Sequence, residues 1–514
     1  MSIHTKIAAA LLIVGAGGIG GYWLWHEKKV ENAFFKSSDS AGIKDHIRVA
    51  VDSWVGYYPL CSAGLKRRMR ELGYGLECVD DQADYPARMQ GLANNQYDFA
   101  VATVDSYILN GQAKRFPGVI IAVIDESKGG DALVAANGKY PSLDAFKTGS
   151  PIIALTPNSP SDYLAKSLSV HFDIETLNKD KHWRMDVNGS SAAWDALKNH
   201  KTDAAILWEP DVSRALATGH FHRVIGTEQT QRLIVDILIA RRDISIDHPE
   251  KVSAFLQQYF RVLKQYRDDE TMFVSELHDY TGLKSDDVTS MLKGVEWASL
   301  ADNAETWMAH SADVASSEAL INTIDSVVGV LTSYGDISRN PLPEADPYRI
   351  VNSDFVHRLF LQNDALSIIS QQKSNKDVNE YPALTAAQWS QLHEIGTLKM
   401  RPITFVSGSD MMGLADKERL DEIAENLSHY PTFRIEIRGH SGLRGDKTAN
   451  LALSQSRAES VARYLELTHG IPANRIHAIG FGGSKPLPRN PNESERNYNY
   501  RLPRVELVLL GTEL

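Results

Sequence analysis

Along the first 240 residues, short apolar runs alternate with amphipathic stretches of helical length, the pattern of an α/β sheet with parallel strands. Strands are predicted at Ile47–Val51, Gly75–Val79 and Phe99–Thr103, with helices from Pro59 to about Leu72 and from Pro86 to about Asn94. Val119–Ile124 is apolar throughout, as expected of a strand buried on both faces of a parallel sheet. It ends at a polar turn, Asp125 to Asp131, that contains Gly129 and Gly130, and Ala132–Ala136 resumes the apolar pattern. Open α/β sheets bind ligands beyond the carboxyl ends of their strands, so this turn is placed to hold a small polar molecule. It reads equally as a tight turn whose glycines supply positive φ.

The alternation restarts at Pro151–Leu155 and Arg184–Val187, followed by a helix carrying Ala192, Ala193 and Leu197 and a strand at Asp203–Leu207. Leu233–Ala240 then returns the chain to the first sheet. Two similar lobes joined by a double crossover would set their polar turns face to face across a cleft. The segment from Pro157 to Ser161 offers hydroxyls and free N–H groups, an anion-binding arrangement or an ordinary helix cap.

From His248 to about Leu359 the periodicity is helical, with Val252, Phe255, Leu256, Tyr259 and Phe260 on one face of the first helix. Gln362 to Ala386 is polar and weakly patterned, as in a linker. The last unit is predicted to begin with a strand at Ile403–Val406. A helix over Asp416–Leu427, a strand at Phe433–Ile437, a helix from Asn450 to about Leu467, and strands at Ile476–Gly482 and Val505–Leu510 follow. That is a β-α-β-α-β-β α+β sandwich of ordinary domain size. His477 reads as a solvent-facing strand residue.

At 514 residues the chain exceeds one core, and 43% hydrophobic with 23% charged residues is a globular composition. The net charge of −11 speaks against nucleic-acid binding, and Arg401 to Leu514 is near neutral, with 15 Lys and Arg against 14 Asp and Glu. Ile7 to Trp25 holds no Asp, Glu, Lys or Arg in 19 residues, and ends in Trp23 and Trp25, as in a span with interfacial aromatics. A cleaved signal and a retained anchor compete, and the length of the run without a following A-x-A site favours the anchor. The flanking charges, Lys6 against Lys28 and Lys29, do not set its orientation. Cys61 and Cys78 are too few for a zinc cluster, and their expected places, near a helix start and inside the next strand, predict two buried free thiols.

Residues 47 to about 300 resemble the periplasmic substrate-binding proteins of the nitrate, taurine and aliphatic-sulfonate type, which include a thiamine-precursor group. The resemblance rests on Trp54 with Gly56 and Tyr57, on Asp105 after the third strand, on Asp125-Glu126-Ser127 with Asp131, and on Asn158-Ser159 with Ser161 and Tyr163. Asp203-Ala204, Trp208-Glu209-Pro210, Asp236 and His248-Pro249-Glu250 extend it. It implies a type II two-lobed module that closes on a ligand, with an ABC permease as a downstream partner. By position, Trp54 and Tyr57 would form an aromatic wall, and Ser106, Ser127, Ser159, Ser161 and Asn188 would supply hydrogen bonds. Trp208 and Glu209 would close the far side. Asp131, Pro210 and Asp236 are expected to serve turn and hinge geometry, whereas Asp105, Asp125 and Glu209 would suit a cation. The cysteine-rich motif of the enzymes in that group is absent, so no catalytic residue, cofactor or metal is expected.

Residues from about 400 to 512 resemble the peptidoglycan-associated domain of OmpA and MotB, through Phe405, Gly408-Ser409, Arg438-Gly439-His440-Ser441 and Asn450. Leu453-Ser454 with Arg457-Ala458, Gly480, Gly482 and Arg504-Val505-Glu506 complete the match. The resemblance assigns peptidoglycan contacts to His440, Asn450, Arg457 and Arg504. Gly442 stands where that family places the Asp that takes the ammonium of the wall peptide, which would weaken binding.

The expected organisation is therefore an anchor or signal (residues 1–29), a tether (30–44) and a two-lobed module (45–360, lobe 2 about 135–230). A linker (361–395) and an OmpA-like domain (396–514) follow. The expected function is capture or sensing of a small polar ligand by a non-enzymatic protein. It would be held in the inner membrane of a Gram-negative bacterium by residues 7–25, with its bulk in the periplasm. The alternative is a structural envelope protein whose lobes dock a partner instead of a ligand.

Overall fold

The computed structural model describes residues 43–309, 318–362, 381–403, 405–406, 408–491 and 493–512. The expected span at Ile7–Trp25 lies outside the described residues, and among those described no helix is long and apolar enough to cross a membrane.

Three sheets organise the chain. The first two are built from β1 (Asp45–Val51), β2 (Tyr74–Asp80), β3 (Phe99–Thr103), β4 (Gly118–Ser127), β5 (Asp131–Ala136), β6 (Ile153–Leu155), β7 (Arg184–Asp186), β8 (Ala204–Trp208), β9 (Phe221–Gly226), β10 (Val235–Arg241) and β11 (Val295–Trp297). Lobe 1 has the strand order β11-β4-β10-β3-β1-β2, and lobe 2 the order β7-β6-β8-β5-β9. The helices that matter for the cleft are α1 (Tyr85–Ala93), α2 (Val104–Gly111), α3 (Pro160–Phe172), α4 (Gly189–Lys198), α5 (Pro249–Asp268) and α6 (Ala319–Tyr334).

The alternation of runs predicts both sheets, but not all of their strand directions. β1 pairs in parallel with β2 and β3, whereas β4 is antiparallel to both of its neighbours, β10 and β11. Strand β10 returns from lobe 2 and inserts between β3 and β4. A continuous apolar run reports burial on both faces, which helix layers supply here, and carries no information on neighbour direction. On one of those layers, α5 buries Val252, Phe255, Leu256 and Tyr259, with the Phe255 ring stacked on Phe99 at 4.6 Å.

The thiols also depart from expectation. Cys61 and Cys78 form a disulfide, with their Cα atoms 6.0 Å apart. Ser62 leaves the helical region and splits the predicted helix into Tyr58–Cys61 and Ala63–Glu71. Cys61 thus ends a single turn that lies against Cys78 on the edge strand β2, within bridging range.

The third sheet comprises β12 (His393–Thr397), β13 (Arg434–His440), β14 (Ile476–Gly480) and β15 (Arg504–Gly511), in the order β12-β15-β13-β14. Its first strand is His393–Thr397 and not the predicted Ile403–Val406; Phe405 makes only an isolated bridge to Met412. Helices α7 (Leu414–Ser428) and α8 (Lys447–His469) cover one face through Leu420, Ile423, Leu427, Val461 and Leu465. Gly439 allows α8 to approach, since a Cβ there would overlap the Ser454 carbonyl. His477 is half-buried against Trp389, with its ring stacked at 4.9 Å, so it is not the solvent-side residue expected.

This third unit packs on lobe 2 and on the connector between the lobes. Lys399 N donates to the His171 carbonyl (2.6 Å), Gln231 N to that of His429 (2.8 Å), and the Thr432 hydroxyl to that of Gln229 (3.2 Å). His171 and His429 stack at 5.8 Å, and among the described residues no carboxylate forms an ion pair with either.

Candidate functional site

The lobes exchange chain at two places, Lys128–Gly130 on the way out and Thr227–Ile234 on the way back. Thr227 joins the two. Its hydroxyl accepts from Gly129 N (2.9 Å) and lies 2.7 Å from the Ser127 hydroxyl. Ser127 is therefore engaged in the crossover. The expected polar turn is also shorter than predicted, because Asp125, Glu126 and Ser127 remain within β4.

The lobe 1 wall is made by strand ends and the turns that follow them. Asp52, immediately after β1, accepts from Trp54 N (3.0 Å), the Tyr85 hydroxyl (3.1 Å) and Arg88 (3.0 Å). Arg88 is fully buried and also pairs with Asp81 at 2.5 Å. Trp54 Nε1 donates to Asp125 Oδ1 at 3.3 Å, and the indole lies against Gly130, where a Cβ would overlap it. Asp125 and Asp236 oppose each other on β4 and β10, and the Tyr57 hydroxyl donates to Asp236. On α2 the Ser106 hydroxyl lies between Thr103 (2.9 Å) and Asp105 (3.3 Å).

The lobe 2 wall faces it. Asp131 and Trp208 are directly opposed on β5 and β8, so their side chains share one face. Ser159 caps α3, accepting from Ser161 N at 3.2 Å, and Glu209 accepts from Ser213 N (3.1 Å) and its hydroxyl (2.8 Å). Asn110 Nδ2 on α2 donates across the gap to the Asn158 carbonyl at 3.1 Å. Asn188 is apart from this group, exposed at the start of α4 with no side-chain capping bond.

The cleft is closed, and its remaining predicted residues, Trp54, Tyr57, Asp105, Ser106, Asp125, Ser127, Ser159, Ser161, Trp208 and Glu209, are all buried. Four polar atoms at its walls have no hydrogen-bond partner: Asp131 Oδ1, Thr156 Oγ1, Ser161 Oγ and Trp208 Nε1. Buried polar atoms are normally paired, so these stand out. Burial pushes the carboxyls of Asp105 and Glu209 up to about 7 and that of Asp125 up to about 8. Asp131 rises to about 7 from burial and from the charges of Asp105, Glu209 and Asp52, and Asp236 is raised well above its ordinary value by burial and by Asp125. Asp131 and Asp236, expected as hinge geometry, thus belong to the same electrostatic group as Asp125. Sequence reasoning missed Asp52, Arg88, Thr156 and Thr227. Asp52 carried a usable signal, a carboxylate directly after an apolar strand.

In the third unit, His440 ends β13, buried 3.3 Å from Glu506 and stacked on Phe481 at 5.5 Å. Asn450 Nδ2 donates to the Arg444 carbonyl at 3.0 Å and holds the 442–446 loop. Arg457 Nε donates to the Ser409 carbonyl (3.0 Å), with its guanidinium 4.9 Å from the centre of the Phe405 ring. Arg504 is paired with Glu506 at 2.6 Å. Asp446 caps α8 through Ala449 N at 2.8 Å and is committed there, while a Cβ at Gly442 would meet open space.

Residues 404–500 match the OmpA family. The C-terminal unit is an OmpA-family domain. It is similar to a peptidoglycan-associated lipoprotein of Buchnera aphidicola, 26% identical over 141 residues, or 27% of this chain and 80% of that protein. A peptidoglycan-associated lipoprotein of Rhizobium meliloti is 41% identical over 68 residues, 13% of this chain, and the chain spans only 38% of its length. The two lobes share the fold of the periplasmic nitrate-binding protein NrtA of Synechocystis PCC 6803. That likeness has a TM-score of 0.50 and 12% identity, and covers 62% of this chain and 89% of that one.

Proposed function

We propose that the chain is a solute-binding protein that captures a small polar molecule between its two lobes and is attached to the cell envelope at both ends. The observation that carries this reading is the convergence of polar groups from both lobes on one buried cleft, with acceptors and donors left unpartnered in it. Lobe closure would bury a ligand against Trp54 and Trp208 and satisfy those atoms.

In this reading Ile7–Trp25 anchors the chain in the inner membrane and the remainder lies in the periplasm, where the OmpA-family domain meets peptidoglycan through His440, Asn450 and Arg457. The names of its relatives support the wall as partner, and an ABC permease would receive the ligand. Arg504 is tied to Glu506 and Asp446 to its helix cap, so the wall site operates with fewer charged contacts than its family's.

A second reading, a structural envelope protein, is favoured by one feature. Helix α6 packs on α2 of lobe 1 and on α3 of lobe 2, where Tyr334 donates to the Leu177 carbonyl at 2.9 Å and Asp336, just past the helix, pairs with Lys166 at 2.6 Å, so the chain itself ties the lobes together. Thermal unfolding of the full chain with sulfonates, nitrate, phosphonates, short amines and aminopyrimidines separates the two. A ligand at a hundred times its Kd stabilises by about 2.7 kcal/mol. A shift with one class is the expected result, and no shift with any class contradicts ligand capture.

A further inference from the structure

The interlobe cleft has an imbalance of charge. Asp105, Asp125 and Asp236 come from lobe 1 and Asp131 and Glu209 from lobe 2, and all five are buried with no Lys or Arg paired to them among the described residues. They line one gap: Asp125 opposes Asp236 on β4 and β10, Asp131 begins β5 opposite Trp208, Glu209 N donates to the Gly130 carbonyl at 2.8 Å, and the charges of Asp105 and Glu209 raise Asp131. The neighbouring cations are already engaged. Arg88 pairs with Asp52 and Asp81, Lys166 with Asp162 and Asp336, Arg223 with Glu228, and Arg214 with Asp211. Also buried around them are Glu126, which is paired with Lys128 at 2.7 Å, and Tyr57, Tyr85, Tyr163 and Tyr259, all four neutral because burial raises each phenol.

A carboxylate cluster alone specifies no ligand. Here a second observation points to one: Asp131 Oδ1 has no partner, and neither has Nε1 of Trp208, which faces the same way on the adjacent strand. A carboxylate oxygen that accepts nothing, beside an indole N–H that donates to nothing, is a recognition pair for a molecule bearing both a donor and an acceptor.

We propose that this cleft takes a small organic cation, with a protonated amine or amidine set against Asp131 and its neighbouring carboxylates and an acceptor group on Trp208 Nε1. The inference rests on the solute-binding reading and names its ligand class. A sulfonate or nitrate would have to enter beside five carboxyls with no free cation among the described residues to meet it, the costlier arrangement by Coulomb's law.

Proton linkage gives the sign of the pH dependence. These carboxyls are held partly protonated near neutral pH, and a bound cation favours their ionised form, so binding releases protons. Affinity for an amine that stays charged throughout therefore rises from pH 6 to pH 8.

The test uses the full chain with putrescine and benzamidine as cation probes, ethanesulfonate and nitrate as anion probes, and calorimetry with thermal unfolding as readouts. A cation is expected to bind, with affinity rising with pH. Asp131→Asn is expected to weaken it about tenfold or more, while the ligand-free protein keeps or raises its Tm because a repelled buried charge is gone. An unchanged affinity in Asp131→Asn, or affinity that falls with pH, overturns the proposal. A shift with anions alone overturns the cation while leaving solute binding intact, and no shift with any probe overturns both.

Discussion

Asp131 shows what a single position adds to a pattern. In the sequence it is one more polar residue of a glycine turn, and the ordinary account of such an Asp is a cap. Its distinction, an unpartnered oxygen beside Trp208 and within the field of three other carboxyls, comes from the register of β5 on β8 and from Asp52, Asp105 and Glu209, which other elements bring in. Gly442 is the opposite case, legible at once from the motif around His440, and the structure adds that a side chain there has room. Gly442→Asp is expected to increase affinity for purified peptidoglycan sacculi about tenfold or more, as a charge-assisted contact worth about 1.5–3 kcal/mol in favourable geometry is supplied. Equal retention of the two forms would remove the missing Asp as the cause of any weakness.

Elements were legible where a periodic apolar face fixed them, as in α5, α7 and α8, and in the alternation that separates the lobes. Strand direction in β4 was not, because both neighbours arrive from distant chain. The disulfide was hidden for a related reason, since it depends on the helix breaking at Ser62. The contact between α3 and the end of α7 was equally unreadable. There His171 bonds the Tyr430 hydroxyl at 2.7 Å and stacks on His429. Burial holds His171 down, to about 3, and lowers His429 as well. A histidine whose folded value lies below its unfolded one stabilises above the unfolded value and loses that contribution as pH falls towards the folded one. Through this contact alone, going from pH 7 to pH 5 should lower the Tm by roughly 2–4 °C, while the cleft carboxyls, which lose stability as pH rises, act in the opposite direction and outweigh it, so the histidine's contribution is read as the difference between parent and variant. His171→Phe keeps a ring and removes the proton site, so its Tm at pH 5 relative to pH 7 should be higher than the parent's. An identical slope in parent and variant would exclude His171 as the source.

At the scale of the molecule, the OmpA-family domain is seated on the segment that links the lobes, through Gln229, Gln231 and His429. Sequence motifs named both units but said nothing of this contact, because it is made by backbone carbonyls and by residues outside either motif. Helix α6 packs on both lobes and meets the docked domain where Ser326 lies 2.8 Å from His429, and the polar walls are buried between the lobes. In the proposed function one small molecule is gripped by both walls at once. Hydrogen exchange of the full chain, with and without whichever compound raises its Tm most, tests it directly. Slower exchange is expected in residues 52–57 of lobe 1 and residues 208–213 of lobe 2 together. Protection confined to one lobe, or located away from both segments, would contradict it.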